Sequence, residues 1–150
     1  MAISAAMVKE LRERTGLGMM DCKKALAEAG GDMDQAIEDL RKKSSLKAAK
    51  KAGRTAANGL LGMKSSEDGT RIALVEVNIE TDFAAKNEKF IAFVSKVAQT
   101  LFDSGDMDSV TQTLNAERET LVQEIGENMA IRRGALVESA SGGLSYYMHG

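Results

Sequence analysis

The first 43 residues constrain the fold most, because their apolar positions recur at helical spacing and glycines interrupt the pattern. The spacing predicts a first helix that starts after the N-cap Ser4 and stops at Gly16. A second helix is predicted from Met19 to Gly30, and a third after the cap Asp32. Their inward positions are predicted to be Met7, Val8, Leu11, Met19, Cys22, Ala25, Leu26, Ala29, Met33, Ala36, Ile37 and Leu40. Helices this short are not stable alone, so the three are predicted to pack as a bundle.

The next segment changes in character. Residues 44–57 are rich in helix formers but hold few large apolar groups, which predicts a linker helix. Residues 58–64 and 71–79 favour two β-strands that flank the turn-rich residues 65–69, as in a hairpin. The second of these strands is the stronger prediction, since it is dominated by branched apolar side chains.

After the second strand the apolar period becomes helical again. It predicts a long helix through Phe90 and Phe102 that ends near Gly105, and we expect Thr81 or Asp82 to cap it. A further helix is predicted to start at the cap Asn115, and residues 131–137 favour a returning strand. These elements predict an α+β fold, with helices packed on one face of a small antiparallel sheet.

The charge of the chain is unevenly distributed. Residues 1–54 hold 12 basic and 8 acidic side chains, and residues 55–150 hold 8 and 14. Residues 41–54 carry seven basic side chains and no acid, which is typical of a nucleic-acid contact or of a solvated helix end. We favour the solvated helix end and expect no nucleic-acid partner, because the whole chain is acidic and no aromatic or Arg-Gly pattern separates the lysines.

Several chemical functions are excluded by what the sequence lacks. The only histidine, His149, stands next to the last residue, which disfavours a Ser-His-acid triad, and no Gly-Lys pair forms a phosphate-binding loop. One Cys and one His cannot supply the ligands of the common zinc sites. We therefore expect no enzyme activity, no cofactor, no metal and no direct nucleotide binding.

Targeting signals are also missing from the sequence. No run approaches the roughly 20 apolar residues of a membrane span, and the first residues lack the features of a secretion signal. The expected location is the cytoplasm, with an untargeted start and no membrane partner.

The corner at Glu80–Lys86 is the most informative local feature, because it joins the best predicted strand to the longest predicted helix. Two interpretations stay open. In the first, Thr81 and Asp82 cap the helix and Phe83 turns inward as a hydrophobic staple. In the second, Asp82 and Phe83 are presented to a partner's pocket as an interface anchor.

Five sequence blocks resemble the bacterial elongation factor Ts family, the nucleotide exchange factors of the GTPase elongation factor Tu. They are VKELRERTG at residues 8–16, GMMDCKKAL at 18–26, KAAKKAG at 47–53, EVNIETDFAAK at 76–86, and IGEN at 125–128 followed by IRR at 131–133. The blocks are long, ordered and spread over the whole chain, so the resemblance is specific. Members of the family continue well past residue 150.

The resemblance implies a division of the chain. Residues 1–43 would form a ubiquitin-associated-like (UBA-like) three-helix domain, followed by the basic linker helix at 44–57. Residues 58–140 would be the first half of the α+β core, and residues 141–150 the truncated start of the second half.

The resemblance also implies which residues bind the GTPase. Asp82 and Phe83, with Thr81 beside them, would insert as a wedge near its magnesium site and promote GDP release. Ile125 and Gly126 would lie by its phosphate-binding side. The remaining contact residues implied are Met19, Met20 and Lys23 in the N-terminal domain, and His149 at the start of the second core half.

Two other functions remain open at this stage. An RNA-binding adaptor would use residues 41–54, and its affinity would fall steeply with salt. A peptide-binding helical module joined to an unrelated α+β domain is the third hypothesis. Both rank behind the exchange factor.

Overall fold

The computed structural model describes residues 2–140 and 143–145. In chain order the elements are α1 (Ala5–Thr15), α2 (Met19–Glu28), α3 (Met33–Lys51), β1 (Asn58–Ser65), β2 (Arg71–Ile79), α4 (Asp82–Ala85), α5 (Glu88–Ser104), α6 (Met107–Ile125) and β3 (Met129–Glu138). They belong to two compact units. Unit 1 comprises Met1–Gly53 and Ala116–Asn128, and unit 2 comprises Arg54–Asn115 and Met129–Gly150.

Unit 1 contains the bundle of three helices that the sequence predicts. The hydroxyl of Ser4 accepts a hydrogen bond from the amide of Met7 at 3.2 Å, and the left-handed Gly16 ends α1. The core of the bundle is formed by Leu11, Leu17, Cys22, Ala25, Leu26, Ala36 and Leu40. Met19 is an exception to the predicted inward face, since it lies at the first position of α2 and is mostly exposed.

α3 continues without a break past residue 43 and ends at Lys51, so residues 44–51 of the predicted linker helix form its C-terminal part, whereas residues 52–57 lie beyond the helix. Ser44 and Ala48 are buried there and extend the stripe begun by Ala36 and Leu40. The prediction of a linker rested on the lack of large apolar groups in this segment. Positions i and i+4 lie above one another on a helix. Small side chains at this spacing therefore continue the buried face of the first half of α3 into its second half.

Unit 2 contains an antiparallel three-stranded sheet of order β1-β2-β3. α5 packs on this sheet through Phe90, Phe93, Val94, Val97 and Leu101, as the predicted α+β fold requires. Gly62 of β1 lies under α5, where an added Cβ would stand 2.7 Å from Val94 Cγ1. The missing side chain therefore lets the helix approach the sheet closely.

α6 begins at Met107, so the prediction that Asn115 caps this helix is wrong. The carboxylate of Asp106 accepts a hydrogen bond from the amide of Asp108 at 3.2 Å, which is the geometry of a helix start. Val110 and Leu114 are buried and belong to the same helix. The sequence pattern does not reveal this start, because Gly105 ends α5 only two residues before α6 begins.

Candidate partner-binding site

The corner after β2 is built by a single helical turn. The hydroxyl of Thr81 accepts a hydrogen bond from the amide of Ala84 at 3.1 Å, so Thr81 caps α4. α5 has its own cap, because the side chain of Asn87 accepts a hydrogen bond from the amide of Lys89 at 2.9 Å. The expectation that Thr81 or Asp82 caps the long helix is therefore wrong in detail. The chain makes one extra turn before α5 begins.

The corner is held from several sides. Ala84 and Ala85 are buried and anchor α4 to unit 2. The side chain of Asn58 donates to the carbonyl of Glu80 at 3.0 Å, and Arg54 lies 3.6 Å from the Glu80 carboxylate. A single helical turn is not stable by itself. The buried alanines, the hydrogen bond and the ion pair together hold this segment in place.

Phe83 points away from this support. Its side chain is 85% exposed, the highest value among the large apolar residues that are exposed in the described ranges. Asp82 and Thr81 are exposed beside it. An inward hydrophobic staple is not what the structure contains, since the buried positions of α4 are taken by Ala84 and Ala85. Burying a Phe side chain that was exposed to water is favourable by roughly 1.5–3 kcal/mol. Folding of this chain does not gain that free energy from Phe83, so it is available to the binding of a partner.

A second predicted contact lies at the end of α6. Gly126 has φ 84°, and its amide donates to the carbonyl of Val122 at 2.8 Å. Ile125 is half-buried before it. Ser44 of α3 donates a short hydrogen bond to the side chain of Gln123 and so ties this end of α6 to the N-terminal helices.

The third predicted contact group lies on α2. Met19 is 56% exposed and Met20 is 75% exposed, and Lys23 is exposed one turn further along. Adjacent methionines cannot both face a core, and here neither does. Flexible thioether side chains beside a cation are typical of an adaptable contact surface.

A groove of about 300 Å³ runs along the α1 side of these residues. Ile3, Val8 and Met19 give it apolar lining, and Arg12 and Lys23 are among its charged lining residues. Ile3 and Arg12 are not among the site residues that the sequence predicts. Arg12 stands four residues after Val8 on α1, which places the two on one face of the helix, but the helical pattern had assigned Val8 to the core. Ile3 precedes the helix, so the pattern gave no signal for it.

The predicted site residues fall into three groups by their position in the fold. Thr81, Asp82 and Phe83 form one continuous surface of unit 2. Ile125 and Gly126 end α6 in unit 1, and Met19, Met20 and Lys23 lie on α2 in the same unit. His149 lies outside the described residues.

Within residues 2–140 and 143–145, no three side chains of His, Cys, Asp or Glu come together in a way that could hold a metal ion. Cys22 is buried, and desolvation raises the pKa of its thiol, the opposite of what a reactive cysteine needs. Across these same residues, every helix is too short or too polar to cross a membrane.

Comparison with known proteins points to one family. The family model described as elongation factor TS matches residues 80–150. The chain is 54% identical over 152 residues to elongation factor Ts of Saccharophagus degradans and 55% identical over 152 residues to that of Teredinibacter turnerae, with 99% of this chain and 52% of each relative covered. The relative from Arthrospira platensis is 50% identical over 158 residues, with 64% of its length covered. The chain thus spans about half the length of the curated relatives that it matches.

Proposed function

Because the chain belongs to the elongation factor Ts family, whose N-terminal portion it matches, we propose that it acts in guanine nucleotide exchange during translation elongation. Its partner in this proposal is the GTPase elongation factor Tu, from which it promotes GDP release. The proposed activity makes and breaks no covalent bond. The proposed place of action is the cytoplasm, where translation elongation takes place.

The proposed mechanism follows from linkage between two binding equilibria. A factor that binds the empty GTPase more tightly than the GDP-bound form must weaken GDP binding by the same ratio. The factor therefore needs a group that fits the empty site and conflicts with the GDP-bound site. No catalytic residue is needed for this.

The exposed ring of Phe83 is the observation that carries the proposal. We assign to Asp82 and Phe83 the role of a wedge that enters the GTPase near its magnesium site, with Thr81 holding their turn. Burial of one Phe is worth roughly 1.5–3 kcal/mol. At about 1.4 kcal/mol per decade, this gives a factor of roughly ten to a hundred in the coupling.

The other two groups have supporting roles in the proposal. Ile125 and Gly126 approach the phosphate-binding side of the GTPase from the end of α6. Met19, Met20 and Lys23 form a contact face on α2, where both methionines are exposed. We propose that these surfaces provide affinity, whereas the wedge provides the difference between the two nucleotide states. His149 is carried as a further contact on the strength of the family resemblance alone.

The direct test is release of a fluorescent GDP analogue from bacterial elongation factor Tu. The 150-residue chain should accelerate release, and Phe83→Ala should reduce that acceleration by roughly ten- to a hundredfold. Leu61→Ala is the matched control, since Leu61 is also largely exposed in unit 2 and should leave the rate unchanged. A wild-type chain that neither binds the GTPase nor speeds release contradicts the proposal. Equal rates for wild type and Phe83→Ala remove Phe83 from the mechanism.

A further inference from the structure

The strand pairing of the sheet ends just before the corner that carries Phe83. Ile79 is the last residue of β2 with register partners on both neighbouring strands, and its partner on β1 is Asn58. Glu80 is the first residue beyond this ladder, and it immediately precedes the cap Thr81. The path of the chain out of the sheet is therefore set at Glu80.

Asn58 extends the pairing of β1 and β2 by one step through its side chain. Its Nδ2 atom donates to the carbonyl of Glu80 at 3.0 Å. Among the described strands no residue is a register partner of Glu80, so this amide takes the place of a ladder hydrogen bond. The Glu80 side chain is only 19% exposed, and its carboxylate lies 3.6 Å from Nη1 of Arg54. Glu80 is thus held through both its main chain and its side chain.

Asn58 is itself held by a buried amide. Asn78 on β2 is 6% exposed, and its Nδ2 atom donates to the carbonyl of Asn58 at 3.3 Å. The same side chain is hydrogen-bonded to the carboxylate of Glu76. Burying an amide costs free energy unless its hydrogen bonds are made. A satisfied buried network fixes one arrangement of the groups that it joins, and here the last group joined is the corner.

The direction of the Phe83 ring depends on the backbone of this corner. The ring is 85% exposed, so packing against its own chain does little to direct it. α4 is a single turn of four residues, too short to be stable alone. A group that must enter another protein's site loses much of its effect when it is displaced by about 1 Å. The contacts that fix Glu80 therefore matter for what Phe83 can do.

We propose that Asn58 is a positioning residue for nucleotide exchange, which holds Glu80 so that Phe83 enters the GTPase in the productive direction. This inference rests on the exchange proposal and adds to it a residue that acts through Phe83. The alternative is that Asn58 only stabilises unit 2. The two roles differ in one respect, since a positioning residue loses its effect when the ring that it positions is removed.

The test is a double-mutant cycle on the release of a fluorescent GDP analogue from elongation factor Tu, with the 150-residue chain at saturation. Asn58→Ala should reduce the acceleration roughly three- to tenfold, as expected for the loss of one hydrogen bond. In the Phe83→Ala background the same substitution should have no further effect. Asn58→Asp keeps the size of the side chain but cannot donate, so it should reduce release as Asn58→Ala does.

Ser66→Ala is the matched control for a purely structural effect. The Ser66 hydroxyl accepts hydrogen bonds from the amides of Thr70 at 3.1 Å and Arg71 at 3.0 Å, at the other end of the β1–β2 hairpin. Its loss should lower the urea midpoint at least as much as Asn58→Ala does. GDP release should nevertheless be unchanged, because this end of the hairpin does not support the corner.

Four outcomes overturn the inference. These are unchanged release with both Asn58 variants, a further loss of the same size in the Phe83→Ala background, an equal loss with Ser66→Ala, and loss of the native circular dichroism spectrum in both Asn58 variants. In each case the wild type still accelerates release and Phe83→Ala still slows it, so the exchange proposal stands. A wild-type chain that does not accelerate release overturns both proposals, and no variant is needed to recognise that result.

Discussion

Arg133 of β3 lies with its Nε 2.7 Å from Oε1 of Glu76 on β2, across the paired strands. The two residues are register partners, and the strands slip by one residue just after them, between Glu76 and Val77. Arg132 is the extra residue of this bulge, and its guanidinium also comes within 3.5 Å of the carboxylate. A bulge normally re-aims a side chain. Here it brings two consecutive arginines to one glutamate, whose own side chain is only 15% exposed.

This arrangement predicts a pH-dependent contribution to stability. Hydrogen bonds from Asn78 and Arg133 are the main reasons that the pKa of Glu76 lies below its ordinary value of 4.5. A lowered pKa in the folded state stabilises the protein above pH 4.5, and the benefit is lost as the pH falls through the folded value. Glu76→Gln should therefore lower the urea midpoint at pH 7, and the difference from wild type should shrink towards pH 3.

Glu67→Gln serves as the control for this prediction, because Glu67 is exposed in the hairpin turn. Its midpoint should follow that of the wild type across the range. A difference between Glu76→Gln and wild type that stays constant down to pH 3 would mean that the carboxylate contributes packing or hydrogen bonding rather than charge.

Two phenylalanines seven residues apart should respond in opposite ways to truncation. Phe90 is fully buried on α5, so Phe90→Ala should destabilise the fold by about 3–5 kcal/mol through lost burial and a cavity. Phe83 is mostly exposed, so Phe83→Ala should leave the free energy of unfolding unchanged within about 0.5 kcal/mol. Urea unfolding followed by circular dichroism measures both. A large loss for Phe83→Ala would place its ring in the core and remove it from the partner surface.

The pair Phe83 and Phe90 also shows how far the sequence could be interpreted. The periodic positions of α5, including Phe90, predicted burial correctly, because a long helix repeats the same signal many times. Phe83 stood in a four-residue turn with no repeat, and the spacing left its direction open. The start of α6 was missed for a related reason, since Asp106 stands directly after the stop signal of α5.

The proposed partner-binding groups also differ in how far the sequence alone could predict them. The family resemblance implies contacts by Met19, Met20 and Lys23, whereas helical spacing alone places Met19 inside. The orientation of the C-terminal half of α3 needed coordinates, because it is set by the burial of Ser44 and Ala48. Small buried residues carry little signal in a hydrophobic pattern, so the orientation of a helix that uses them is the hardest part to predict.

A side chain at Gly126 should destabilise the protein because of the backbone conformation there and not because of a lack of space. Its φ is 84°, and an added Cβ would meet nothing within 4 Å. Gly126→Ala should cost about 1–2 kcal/mol, since a left-handed conformation brings Cβ near the following carbonyl. Gly53→Ala is the matched comparison, because Gly53 is equally open and lacks a positive φ. It should be neutral or stabilising by up to about 1 kcal/mol. Thermal unfolding of both variants checks the contrast, and equal losses would contradict it.

Thr81 should control the wedge through its hydroxyl. The Oγ1 atom accepts from the amide of Ala84, so Thr81→Ala leaves that N–H without its cap and should lower stability by about 1 kcal/mol. Without this hydrogen bond the turn is more mobile in the free protein, and ordering it when Phe83 binds a partner costs free energy. The affinity for nucleotide-free elongation factor Tu should therefore fall several-fold. Thr81→Ser keeps the acceptor and should restore both values. If Thr81→Ser is as impaired as Thr81→Ala, the methyl group and not the hydrogen bond supports the corner.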